Sequence, residues 1–95
     1  MIVEFSQKAN QDLEAIGDWI AQENPDRAYR FVQELRVDCS SLSDFPERHA
    51  IYKSYDIGEV RRKPHGNYLI FYVVGQNTVS ISRIFHGAQD YSDLF

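Results

Sequence analysis

Apolar positions change their period along the chain, and the changes mark its elements. Ile2-Val3-Glu4-Phe5 is a short apolar run that reads as a strand. Ser6 offers an N-cap. Ala9, Leu13, Ile16 and Ile20 then recur at spacings of four, three and four, which is one face of a helix. Asp12, Glu14 and Asp18 fall mostly off that face and read as a solvated surface. Gly17 costs about 1 kcal/mol against Ala within a helix and points to a close approach there. Asn24-Pro25 joins a good N-cap to a good first helical residue. The second stripe is Ala28, Val32, Leu35, Cys39 and Leu42, widened by Phe31, and Phe45-Pro46 ends it. Two helices joined by so short a turn lie antiparallel, and the second would span about 30 Å at 1.5 Å per residue.

The second half is different. Residues 47–57 have no clear repeat and read as a loop. Glu59 to Lys63 reads as a strand turning at Pro64-His65-Gly66-Asn67. Tyr68-Leu69-Ile70-Phe71-Tyr72-Val73-Val74 is apolar or aromatic on both faces, as in a central strand covered on both sides. Gly75-Gln76-Asn77 is a tight turn, and Thr78 to His86 is the next strand. Strict alternation puts Val79, Ile81 and Phe85 on one face and Ser80, Ser82, Ile84 and His86 on the other. Arg83 then shares parity with Val79 and Ile81, which requires a bulge or a position at the edge of the core. Residues 87–95 suffice for one helical turn or an extended arm. The order β-α-α-β-β-β is α+β, with an antiparallel helical hairpin on one face of a small, mostly antiparallel sheet. The other face carries aromatic residues that such an arrangement leaves open.

Composition narrows the class. Ninety-five residues make one domain, 1–95. With 43% hydrophobic and 25% charged residues, the chain is neither disordered nor collagen-like. The longest apolar run, 68–74, falls far short of the roughly 20 residues of a membrane span, and the N-terminus has no signal-peptide pattern. The lone Cys39 forms neither an internal disulfide nor a zinc site, which fits a reducing cytoplasm. On the inner stripe it is a small hydrophobe rather than a nucleophile. Trp19, beside the first stripe, is expected to pack against the hairpin. The net charge of -4 is uneven: residues 1–48 carry five basic and ten acidic side chains, residues 49–95 five and four. An acidic chain is a poor general nucleic-acid binder. No metal site, cofactor site or glycine-rich phosphate loop is visible.

Several segments together resemble the ParE/RelE superfamily of type II toxins, and within it the ParE branch, known from plasmid stabilisation. They are Leu42-Ser43-Asp44-Phe45-Pro46, Val60-Arg61-Arg62, the run 68–74, Ile84-Phe85-His86-Gly87-Ala88-Gln89-Asp90 and the closing Leu94-Phe95. The order and spacing cover essentially the whole chain. A basic residue is common in the family where Gln89 stands. The resemblance implies a non-enzymatic inhibitor of DNA gyrase that blocks replication, with a ParD-like antitoxin wrapping the open surface. It implies contact with operator DNA only through the antitoxin, no membrane partner, and a dimer or a toxin–antitoxin hetero-oligomer. The surface expected to bind antitoxin or target is Arg61, Arg62, Tyr68, Tyr72, Arg83 and His86, followed by Asp90, Tyr91, Leu94 and Phe95.

Two other readings stay open. A RelE-like nuclease cutting mRNA on the ribosome needs a base, an acid and cations for the phosphorane. Arg62, Arg83 and His86 are its candidates, with Arg61, Lys63 and Tyr91 nearby; the bland alternative for His86 is a strand-end ring bonded to the backbone. The acidic charge argues against this reading. The third reading is an antitoxin-binding module that poisons nothing. Arg83 is informative in every case, because an arginine interrupting an apolar face needs an acid partner. Asp90 or an antitoxin carboxylate is the expected one.

Overall fold

The computed structural model describes residues 1–93 and 95. Strand β1 (Ile2–Phe5) leads into helix α1 (Gln7–Ala21) and helix α2 (Pro25–Ser40). Strands β2 (Ile51–Tyr55), β3 (Gly58–His65), β4 (Tyr68–Val74) and β5 (Thr78–His86) follow. They form one sheet in the order β1-β5-β4-β3-β2, antiparallel except that β1 runs parallel to β5. Tyr68–Val74 is thus the central strand, as its two apolar faces predict. The architecture is α+β, as expected, with one strand more than the sequence reading allowed.

The helix ends follow their caps. Ser6 Oγ accepts the Ala9 N–H at 3.0 Å, and Asn24 Oδ1 accepts the Arg27 N–H at 3.0 Å, with Pro25 opening α2. Ala9, Leu13 and Ile16 of α1 and Ala28, Leu35 and Cys39 of α2 are buried. At Gly17 an added Cβ would stand 3.2 Å from Val32 Cγ2, so the missing side chain lets the helices approach closely. The second helix is shorter than its stripe suggests. It ends at Ser40, about 24 Å long at 1.5 Å per residue. Leu42 is buried from a 3-10 turn at Ser41–Ser43. Phe45 then takes a left-handed conformation (φ 50°), strained for a bulky residue, and its ring is 79% exposed.

Two expectations need correcting. Residues 47–57 are not a loop: a 3-10 turn (Pro46–Arg48) precedes β2, an edge strand. Its register shifts between Ile51 and Lys53, and that irregularity erases the alternation by which a strand is recognised. In β5, Arg83 lies opposite Phe71 while Ile81 lies opposite Tyr72, so Ser82 is the extra residue of a bulge. The bulge required by Arg83 therefore exists, and it reverses the faces beyond it. Ile84, not Phe85, joins Val79 and Ile81 against the helices. Phe85 joins Val60 and Phe71 on the other face.

The sheet thus has two unlike faces. Against the hairpin, Ile70, Tyr72, Val79, Ile81 and Ile84 meet the stripes of both helices. On the opposite face, Val60, Phe71 and Phe85 are buried under the half-buried Tyr52, Tyr55, Leu69, Val73, Tyr91 and Phe95. The chain's own tail covers the face that the sequence leaves open.

Candidate functional site

Two rows of side chains cross the sheet, one on each face. His65, Tyr68 and His86 pair across β3, β4 and β5 on the hairpin face. Phe31 of α2 packs against both His65 and Tyr68. Arg62, Phe71 and Arg83 pair across the same strands on the tail face. The expected nuclease set of Arg62, Arg83 and His86 therefore does not converge, because His86 and Arg62 stand on opposite sides of the sheet. Tyr68 and His86 do meet, edge to face at 5.1 Å. His86 Nδ1 accepts the Ala88 N–H at 3.0 Å, which places the proton of the neutral ring on Nε2.

Arg83 has a partner that the sequence reading assigned elsewhere. Asp12 of α1 accepts Arg83 Nε and Nη2, each at 2.9 Å, and the Ile84 N–H at 2.9 Å. The reason is local. β1 stops pairing at Ile81, and the bulge leaves the next stretch of β5 without a strand beside it. Helix α1 fills the gap: Ser6 Oγ donates to the Ser82 carbonyl at 2.8 Å, and Asp12 takes the next N–H. The guanidinium also lies 4.4 Å from the centre of the Phe85 ring. Neither Asp90 nor an outside carboxylate is needed to pair it. Asp90 instead accepts the Ser92 N–H and Oγ, which hold its carboxyl below the usual range.

Tyr72 is likewise corrected. It is fully buried, and its hydroxyl donates to the Pro46 carbonyl at 2.5 Å, so it belongs to the core and not to a binding surface. Burial raises its hydroxyl pKa. Arg61, on the same face, donates to the Glu47 and His49 carbonyls at 3.0 and 2.7 Å and fastens the segment before β2. Arg62 is exposed, donates to Tyr91 Oη at 3.1 Å and lies 5.0 Å from the Tyr52 ring centre. Tyr91 and Phe95 pack on Phe71 and Phe85. Leu94 lies outside the described residues.

Two functional-looking groups were missed, both for one reason. Asp38 of α2 accepts Lys63 Nζ at 2.7 Å and lies 2.6 Å from His65 Nδ1. Partial burial alone would raise its pKa, but the hydrogen bonds from Lys63 and His65 outweigh it and hold the carboxyl below 3.8. Asp12 stands three after Ala9 and four before Ile16. Asp38 stands three after Leu35 and four before Leu42. Each acid thus shares the spacing of the buried stripe, the signal that separates an inward carboxylate from a solvated one. Trp19 deviates the other way: it is 69% exposed, not packed against the hairpin. Cys39 is fully buried, and desolvation pushes its thiol up to about 12, so it is inert as a nucleophile. Among the described residues no three metal-ligating side chains cluster.

Comparison with known proteins fits this geometry. Residues 3–91 match the family described as ParE toxin of type II toxin-antitoxin system, parDE. The chain belongs to the ParE toxin family. Toxin RelE2 of Caulobacter vibrioides is 34% identical over 87 residues, covering 92% of this chain and 96% of that protein. Among solved structures, a chain of the chromosomal ParDE system of P. aeruginosa has a TM-score of 0.75 at 21% identity, covering 90% of this chain and 95% of its own. A chain of the RelBE2 toxin–antitoxin complex of Mycobacterium tuberculosis has a TM-score of 0.65 at 22% identity, covering 93% and 92%. At those identities the structures share the ParE/RelE fold. As a ParE family member the chain is a toxin of the type II class, and no helix among its described residues is long and apolar enough to cross a membrane.

Proposed function

We propose that this ParE family toxin inhibits DNA gyrase without catalytic residues of its own and is neutralised by a ParD-like antitoxin. The observation that carries the reading is the dispersal of the nuclease candidates. His86 and Arg62 occupy opposite faces, and Arg83 is bonded through two nitrogens to Asp12. General acid–base cleavage needs its acid, base and cations around one reacting atom. The acidic hairpin points the same way, since a ribosomal site favours a basic protein. An antitoxin partner is supported by the two neighbouring structures, both from toxin–antitoxin systems.

One observation favours the ribosome-dependent nuclease as a second reading. The Caulobacter relative is named RelE2, and the tail face brings Arg62 to Tyr91 Oη beside Phe71 and Arg83. On that reading Arg62 and Tyr91 act, and His86 does not.

Brief induction of the chain alone in bacteria, with thymidine and methionine incorporation followed together, separates the readings. Early failure of DNA synthesis with an intact message pool is expected. Arrest of protein synthesis within minutes while DNA synthesis continues overturns the gyrase reading in favour of the nuclease. Neither effect, from folded protein, leaves the binding module.

A further inference from the structure

The segment Leu42-Ser43-Asp44-Phe45-Pro46 contains a residue that the fold does not explain. Phe45 is the single non-glycine residue with positive φ among the described residues (φ 50°), and its ring stands largely in water. A bulky side chain resists the left-handed region, and the proline that follows narrows its choices further. Wetting the ring adds a second cost. The segment is nonetheless held firmly. Tyr72 Oη donates to the Pro46 carbonyl, and Arg61 donates to the Glu47 and His49 carbonyls. Strain fixed in place under an exposed ring points to a contact outside the chain.

Beside the ring lies a hollow of about 540 Å³, walled by Met1, Phe45, Pro46, Glu47 and Arg48. A projecting ring and an apolar hollow thus share one patch. A two-fold contact needs just that, since each copy must offer both knob and hole. The charges have the same property. Glu47 and Arg48 are adjacent and both exposed, so a two-fold axis sets Glu47 of each copy against Arg48 of the other. With one acidic and one basic side chain, the walls of the hollow are balanced. They lie in the half of the chain, 1–48, that carries five basic and ten acidic side chains. Over most of that half two copies repel each other, and at this patch they do not.

We infer that a second copy of this chain docks on this patch, the Phe45 rings inserting reciprocally beside Met1 and Pro46, and Glu47 of each copy pairing with Arg48 of the other. The patch is small, so the dimer belongs with the weak, reversible interfaces. It forms whichever target the toxin poisons.

Sedimentation velocity of the purified full chain over a wide concentration range tests this. A reversible monomer–dimer equilibrium is expected. Phe45→Gly removes the ring and relieves the backbone, and should weaken dimerisation at least about tenfold while keeping native circular dichroism. Glu47→Arg and Arg48→Glu each set like charges together and weaken it as well, less so in high salt. The double variant, Glu47→Arg with Arg48→Glu, restores it, and this pair of charges carries the test should Phe45→Gly lose its fold. A chain that stays monomeric at every concentration overturns the inference. If Phe45→Gly then loses antitoxin binding or growth arrest, the patch serves that partner instead. Dimerisation unchanged in every variant also overturns it, because the copies then meet elsewhere. So does a double variant as weak as the single ones, because the reciprocal pairing is then absent.

Discussion

The two faces of the sheet are covered by different means. The hairpin face is sealed by two capped helices, and its core is mostly aliphatic and almost fully buried. The tail face is sealed by rings: Tyr91 and Phe95 fold back onto Tyr52, Phe71 and Phe85, and most of the surrounding side chains stay half in water. The helices arrive by short connections and are fixed by periodic side chains. Beyond the turn at residues 87–89, whose N–H groups bond to Asn67 and His86, the described tail residues are held to the sheet by a few ring contacts and the exposed Arg62–Tyr91 hydrogen bond. The hairpin face should therefore carry the global stability, and the tail face should open locally at lower cost.

The largest effect tests the first half of that contrast. Leu35→Ala removes a fully buried side chain from the hairpin core and should cost about 2–5 kcal/mol in urea unfolding. A loss below about 1 kcal/mol would mean that the helices are not the main support of the sheet.

The seam between the two faces comes next. Asp12→Ala leaves the partly buried Arg83 guanidinium and the Ile84 N–H without their acceptor, at about 2–3 kcal/mol. Asp12→Asn, which keeps an acceptor but not the charge, should fall between wild type and Asp12→Ala. Equal stability of all three proteins would show that the helix is not needed to finish the bare edge of β5.

A smaller effect is a pH dependence confined to the hairpin side. Burial, and then the charges of Lys63 and Arg48, hold the His49 pKa below 6.5. The unfolded chain therefore binds that proton first, so stability is full above pH 6.5 and falls as pH drops toward the lowered folded value. Asp38 titrates lower: its contribution is complete above 3.8 and is lost as pH falls through its depressed folded pKa. Amide protection factors at α2 and residues 44–50, which take out the slower intrinsic exchange at low pH, should fall below pH 6.5 in wild type and not in His49→Gln. Identical profiles for the two proteins would remove His49 as the cause.

The same contrast explains what was legible. Helices, caps, central strand and final strand all leave a period or a cap in the sequence, and each was placed. β2 was not, because its shifted register leaves nothing to count. The bulge at Ser82 was signalled by Arg83, but its consequence, the exchange of Ile84 and Phe85 between faces, depends on which residue is extra. Of the expected surface, Tyr68 and His86 meet on the hairpin face, a pairing that nothing in their spacing announces. Arg62 and Arg83 went astray from His86 because a spacing along the chain says nothing about the side of a sheet. Tyr72 looked like surface because an aromatic central strand shows the same pattern whether its rings meet a partner or the chain's own helices.

The smallest expected effect is the most discriminating for the tail. Arg62 is exposed, and its hydrogen bond to Tyr91 and its contact with the Tyr52 ring are both partly in water. Such contacts are worth about 0.5–1 kcal/mol at most. Arg62→Ala should leave the urea midpoint nearly unchanged and still speed amide exchange and protease cleavage in residues 87–93, because the ring contacts that remain hold a short segment only weakly. Arg62→Lys should behave like Arg62→Ala if the fork of the guanidinium holds Tyr91 and Tyr52 together, and like wild type if charge alone suffices. A global loss above about 2 kcal/mol in Arg62→Ala would place the tail inside the cooperative unit. The two faces would then be one core, and the ease with which the tail leaves Phe71 and Arg62 would no longer separate them.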